Sequence, residues 1–382
     1  MKAILSAFLG LAAVCGTAQA RIPAPPAETA DIPVTYMVDL GSGQVMYSRD
    51  ADRSFVPASM TKVMTAFVAF EEMAAGRLAS DREITVRPET ARLWNGRGTS
   101  MYLTAGERLT VDDLLRGIMT ASANDASVVL AEGYLGSVAA WTFLMNDAAK
   151  RLGMTKSHFN TPNGWPDEGQ TYVSARDLGA LAQAMIRRYP DYYERYSGKN
   201  ETVWKNVRLF SHDPVTGVVP GADGIKTGYT REAGYNFLGS AKRGNRRLVM
   251  VVAGARSEAQ RTAASRAFME WGFSAWRARP LFAAKAQIGT ARVQGGTNKE
   301  VSLVARDPVY ATIPVDDSEP IRLRIVYHGP RIAPIEKGEQ VAQLEIRVGN
   351  MTPSRLPLFA ATHVGKAGPI DRLRDGLMNL FS

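Results

Sequence analysis

From Met60 to Phe70 the chain reads MTKVMTAFVAF, a helix-length segment apolar nearly all round. Such a segment belongs in the middle of a core and not on its surface. Its first turn nevertheless carries Lys62, three residues after Ser59. Positions i and i+3 share a helix face, so the hydroxyl and the amine can meet where the free N–H groups of the first turn also point. Burial disfavours the charged ammonium and lowers its pKa, which would turn Lys62 into a base able to take the Ser59 proton. The structural alternative is that Ser59 caps the helix while Lys62 runs along it to water. A lone Ser-x-x-Lys does not separate the two.

Two further stretches bear on that choice. Ser122-Ala123-Asn124 falls in a break between two helical patterns, LTVDDLLRGIMT and NDASVVLAEGYL. A hydroxyl and a carboxamide held on a fixed turn could relay a proton and bind a substrate amide, although both residues are also good helix caps. Lys226-Thr227-Gly228 begins a strand after a Pro/Gly-rich loop. A free edge strand can pair with an extended peptide, and Gly228 lets that backbone approach. Alternation along the strand sends Thr227 toward a substrate and Lys226 toward the Ser122 loop. The alternative for this lysine is a charge that keeps an exposed edge from aggregating.

The chain of 382 residues is longer than one compact core usually holds, so two domains are expected. Residues 1–20, MKAILSAFLGLAAVCGTAQA, have the charged start, apolar middle and small-residue end of a cleaved signal peptide. Cys15 is the single cysteine, so the mature chain would contain no disulfide. A formal charge of +9 favours contact with anionic surfaces such as lipid headgroups or an acidic polymer. The four histidines are scattered, with no HExxH and no Cys/His cluster, so no metal is expected. No GxSxG elbow or Gly-rich phosphate loop occurs either, and neither a cofactor nor a nucleic-acid partner is expected.

Along the chain, VTYMVDL, the turn Gly41-Ser42-Gly43 and QVMYSRD read as an opening β-hairpin. Helical patterns follow over 59–76, 110–120, 124–135, 138–152 and 174–189. After Gly224 come three hairpin-linked strands and a helix over 260–275. This is the pattern of an α/β (α+β) domain, an antiparallel sheet flanked by helices, assigned to 21–279. Short alternating runs over 280–362 give a small all-β domain. The segment 363–382 ends in GPIDRLRDGLMNLFS, an amphipathic helix with Ile370, Leu373, Leu377, Leu380 and Phe381 on one face. It could lie in a membrane surface through 369–382 or dock on its own β domain.

Taken together, Ser-x-x-Lys, Ser-x-Asn and Lys-Thr-Gly in this order and at these gaps resemble the motif set of the penicillin-recognising serine enzymes. PASMTKVMTA, TASANDAS, FNTPNGWPDEGQ, SARDLGAL, GIKTGYTREAGYN and the closing WGF are similar, within that superfamily, to low-molecular-mass penicillin-binding proteins of the D-alanyl-D-alanine carboxypeptidase family. The resemblance spans nearly the whole mature chain and includes the β domain and the tail. It implies a serine DD-peptidase / β-lactamase-like catalytic domain. It also implies a periplasmic enzyme on the outer face of the inner membrane that trims the terminal D-Ala from peptidoglycan stem pentapeptides and is acylated by β-lactams. Residue by residue, it makes Ser59 the nucleophile, Lys62 its base, Ser122 and Lys226 the route of the proton to the leaving D-Ala, and Asn124 the holder of the substrate amide. The N–H groups of Ser59 and Tyr229, which follows Gly228, would form the oxyanion hole, and Thr227 with Arg261 would bind the terminal carboxylate. One departure is Asn163-Gly164-Trp165, where many members carry His-Gly-Leu. Two rivals remain: a class A-like β-lactamase, for which 155–170 offers no equivalent of the deacylating Glu, and a non-catalytic peptidoglycan-binding protein that keeps the fold.

Overall fold

The structure, a computed structural model, describes residues 22–316 and 320–368. Its first unit is built on a five-stranded antiparallel sheet. In spatial order the strands are Gln44–Arg49, Val34–Asp39, Arg246–Ala255, Gly234–Arg243 and Ala222–Thr230. The central strand, RRLVMVVAGA, is apolar on both faces, as a strand covered on two sides must be. Val249, Val251 and Ala253 face one core, while Leu248, Met250, Val252 and Ala255 face another. This is the period-2 division of a pleated strand as far as Ala253, after which a shift in register against the neighbouring strand turns Ala255 to the second core.

The first core holds the apolar helix Lys62–Ala74, with Val63, Met64, Phe67 and Phe70 fully buried. Around it stand Val111–Met119, Asn124–Leu135, Val138–Arg151 and Ala175–Arg188. Their starts follow from local chemistry. A capping box between Thr110 and Asp113 opens the first, and the side chains of Ser137 and Ser174 cap the last two. On the opposite face of the sheet, helix Glu258–Ser274 lays down Ala264, Phe268 and Met269.

The second unit is all-β. Its main sheet has the order Ile321–Val326, Gln340–Val348, Ser354–Ala360, Glu300–Val304, Gln287–Gln294, Arg331–Ile332. Strand Trp276–Phe282 runs through the boundary expected near 279 and pairs with Val309–Pro314. The expected end of this unit at 362 falls too early. Val364 pairs with Ile335 and Lys366 with Gly296, and Val364 and Ala367 are buried, so backbone pairing and packing carry the unit to Ala367. The expected signal peptide at 1–20 and amphipathic helix at 369–382 lie outside the described residues.

One apolar cluster runs from the back of the first sheet into the β unit, and a polar knot sits where they join. Asp39 is fully buried and accepts from Gly41 N, Tyr310 Oη, Thr312 Oγ1 and Arg246 Nε at 2.8–3.1 Å. Gly41 is required there, because a Cβ would lie 1.7 Å from Tyr310 Oη.

Candidate active site

Ser59 does not sit on the α-helix. It occupies a 3-10 turn, Ala58–Thr61, and the α-helix begins at Lys62. In a 3-10 turn positions i and i+3 eclipse, which aligns this pair more closely than an α-helix would. The turn enters through Ala58 at φ +49, a strained left-handed conformation for a residue with a Cβ. The capping alternative does not hold, since the helix has no side-chain cap bond at its N-terminus. The alternative of a lysine reaching water also fails, because Lys62 is fully buried.

Lys62 Nζ lies 2.8 Å from Ser59 Oγ, 2.7 Å from Asn124 Oδ1 and 2.7 Å from the Asn163 carbonyl oxygen. Burial drives its pKa well below the usual lysine range. The nearby Lys226 adds to that effect and Asp125 opposes it. Lys226, itself buried, is pushed down to about 7, chiefly by desolvation, with Arg261 acting in the same direction and Asp213 against it.

The Ser122 loop breaks the chain between Val111–Met119 and Asn124–Leu135. Ser122 is buried at φ +62, again left-handed. Neither Ser122 nor Asn124 caps the following helix, whose N-cap is Ala123 without a side-chain bond. Asn124 instead spans the site: its Oδ1 faces Lys62 and its Nδ2 donates to the Arg97 carbonyl at 2.9 Å. Asp125 fastens the neighbouring segment by accepting from Ser100 Oγ, Met101 N and Leu103 N at 2.6–3.1 Å.

The third wall is strand Ala222–Thr230, the free edge of the sheet. Gly228 brings it against the nucleophile turn, where a Cβ would meet the Pro57 carbonyl at 2.4 Å and Met60 N at 3.2 Å. Asn236 on the next strand ties the same turn down, donating to the Val56 carbonyl at 3.2 Å. Thr227 lines the cleft, while Lys226 points into the interior and lies 3.3 Å from the Thr227 carbonyl oxygen. Arg261 reaches the cleft from helix Glu258–Ser274. It is buried, donates to Glu258 and to the His212 carbonyl, and keeps its Nε without a partner. Exposed Tyr229 stacks on Tyr235 at 4.2 Å.

These walls enclose a cleft of about 630 Å³ lined by Ser59, Ser122, Asn124, Thr227, Gly228, Tyr229 and Arg261, among others. Lys62 and Lys226 stand behind it. All nine sequence-derived site residues therefore converge. The loop around Asn163 contributes a group that sequence reading missed. It presents its backbone carbonyl, pinned by Thr65 Oγ1 on the Pro162 carbonyl at 2.6 Å. The legible sign was Gly164 at φ +74, where a Cβ would lie 1.9 Å from the Ala58 carbonyl. In the same loop Glu168 is exposed, and Asp167 is engaged with Thr171 N and Oγ1. Asp125 and Asn236 were also missed, because their partners lie far away in sequence.

Residues 21–257 match the family described as D-alanyl-D-alanine carboxypeptidase, and residues 276–366 match the C-terminal domain of penicillin-binding protein 5. D-alanyl-D-alanine carboxypeptidase DacC of Escherichia coli (strain K12) is 32% identical over 381 residues, covering 98% of this chain and 94% of that protein. Penicillin binding protein 5 from Haemophilus influenzae aligns with a TM-score of 0.76 at 27% identity, over 90% of this chain and all of that one. Penicillin-binding protein D2 from Listeria monocytogenes, solved in an ampicillin-bound form, has a TM-score of 0.58 at 30% identity, over 64% of this chain and 98% of that one.

Proposed function

Because this chain belongs to the D-alanyl-D-alanine carboxypeptidase family, we propose that Ser59 removes the terminal D-Ala of peptidoglycan pentapeptides through an acyl-enzyme and is acylated by penicillin in the same way. The observation that carries the reading is the surroundings of Lys62. A neutral amine has two N–H donors and one lone pair. The Asn124 and Asn163 oxygens take the two N–H groups, which leaves the lone pair for the Ser59 hydroxyl. As Ser59 Oγ bonds to the scissile carbonyl carbon, its proton passes to Lys62 Nζ. The carbonyl oxygen gathers negative charge between the N–H groups of Ser59 and Tyr229.

When the C–N bond breaks, the proton taken up by Lys62 passes by way of Ser122 and Lys226 to the departing D-Ala nitrogen, which returns Lys62 to its neutral form. Thr227 and Arg261, both lining the cleft, bind the terminal carboxylate. Asn124 holds the amide upstream of the scissile bond. Lys62 then takes a proton from the water that attacks the ester, and Ser59 is restored. With Glu168 exposed and Asp167 engaged elsewhere, no carboxylate of this loop stands in for the deacylating Glu of a class A β-lactamase, so the penicilloyl ester is long-lived.

The signal-like segment 1–20 supports export to the periplasm with cleavage near Arg21, and the amphipathic 369–382 supports attachment to the outer face of the inner membrane. Labelling by fluorescent penicillin together with release of D-alanine from a pentapeptide tests the function. Both occur in the wild type and both are lost in Ser59→Ala. Labelling that persists in the variant would overturn the assignment.

A further inference from the structure

Arg97 packs on Trp165, which lines the cleft together with Gly98 and Asn124. Its guanidinium lies in the angle between two perpendicular indoles, 4.7 Å from the ring centre of Trp165 and 5.2 Å from that of Trp94, and the two rings meet edge to face at 5.7 Å. Gly96 and Gly98, at φ +70 and +69, turn the chain on either side of it. Gly98 has no room for a side chain, since a Cβ would lie 2.7 Å from Asn124 Nδ2 and 3.1 Å from Trp165. The Arg97 side chain itself is exposed.

It is also without a counter-ion: among the described residues no carboxylate pairs with Arg97. The arginines at 77, 108, 116, 151, 176, 195, 208, 243 and 261 each have one. Rings at right angles to each other cover the guanidinium on one flank only, and among the described residues no acceptor takes its N–H donors. The Arg97 carbonyl receives Asn124 Nδ2, so the backbone of this residue adjoins the group that holds the substrate amide. The terminal carboxylate is assigned to Arg261 and Thr227 at the other end, which leaves the upstream half of the peptide to run toward Arg97.

We infer that Arg97, packed against Trp94 and Trp165, is a specificity residue that binds a carboxylate carried by the acyl half of the peptide, upstream of the scissile bond. This rests on the carboxypeptidase reading and on the placement of Asn124 in it. An acidic side chain one or two residues before the D-Ala-D-Ala end would supply the group. An amidated or basic residue there would lose the in-plane bonds, and Arg→Lys would lose them too, because an ammonium offers no planar fork to a carboxylate.

The test uses the full-length protein and four synthetic peptides ending in D-Ala-D-Ala. Two carry a carboxylate, either at the residue immediately before that end or at the one preceding it, and two are their amide counterparts. Release of D-alanine gives kcat/KM. One acidic peptide is expected to exceed its amide by about 10-fold in the wild type, and which one does so identifies the source of the carboxylate. In Arg97→Gln and Arg97→Lys the ratio falls to within about twofold of unity. Raising the salt from about 0.05 M to about 0.5 M lowers the wild-type ratio as well, a readout that does not depend on any variant folding. Ratios near unity for both pairs in the wild type, or a ratio that survives Arg97→Gln, would overturn the inference while leaving the carboxypeptidase intact. No D-alanine from any peptide would remove the function and the subsite together.

Discussion

Lys62 and Asp39 are both ionisable and both fully buried, yet their surroundings are opposites. Asp39, at the junction with the β unit, is met by four donors, one of them the Arg246 guanidinium. Lys62 meets a hydroxyl and two neutral oxygens, and the next cation, Lys226, stands close enough to depress its pKa further. Four donors hold the Asp39 carboxylate in place. Neutral acceptors and a like charge push an amine toward its uncharged form. Burial thus anchors in one region and activates in the other, and it is the partners that decide.

The largest effect expected from breaking this contrast is on the activated side. Lys62→Ala lowers the rate of acylation by penicillin by at least about 10³-fold, measured by stopped-flow or mass-spectrometric labelling, because no other group receives the Ser59 proton. A loss of less than tenfold would mean that another base serves. Next, Gly228→Ala leaves every side chain of the site intact but drives a Cβ into the Pro57 carbonyl. The edge strand must retreat from Ser59, and acylation is expected to drop by about 10²-fold. On the anchoring side, Asp39→Ala strands Tyr310, Thr312 and Arg246 without their acceptor. It should cost about 3–5 kcal/mol, seen as a melting temperature about 5–10 °C lower, with kcat of the folded enzyme unchanged. If catalysis fell in step with stability, the two regions would not be separable.

The smallest effect sharpens the comparison by pH. Burial holds Lys226 at about 7 in the folded chain, against about 10.4 unfolded. Between these values only the unfolded chain binds the extra proton, so this group makes stability rise as pH increases. Below about 7 both states carry the proton, and the unfavourable contribution is full and constant. Replacing Lys226 by Met should therefore raise the melting temperature more at pH 6 than at pH 9, by a few degrees. Equal shifts at the two pH values would show that Lys226 is not desolvated as described.

The difference between these regions also marks what the sequence disclosed. The apolar run 60–70, the Ser59–Lys62 spacing and the Lys-Thr-Gly strand are local patterns, and each appears where periodicity places it. The 3-10 turn under Ser59 was hidden, because i, i+3 spacing suits either helix and the deciding feature is the left-handed backbone at Ala58. Asn163 acts through a carbonyl that every residue possesses, so its side chain gave no hint. Asp39 read as an ordinary end of a strand, since its partners at 246, 310 and 312 are more than 200 residues away. The β unit was legible from alternation, but its last pairings at Val364 and Lys366 were not, because each is a single bridge outside any patterned strand.

The claim beneath all of this is that Lys62 is an uncharged amine at the pH where Ser59 reacts. Lysine labelled with 13C at Cε, with the Lys62 signal assigned by its disappearance in Lys62→Ala, reports that charge directly by NMR titration. A resonance already in the neutral form under turnover conditions, with a midpoint well below 10.5, is expected. A signal that stays in the charged position until pH 10 would contradict it.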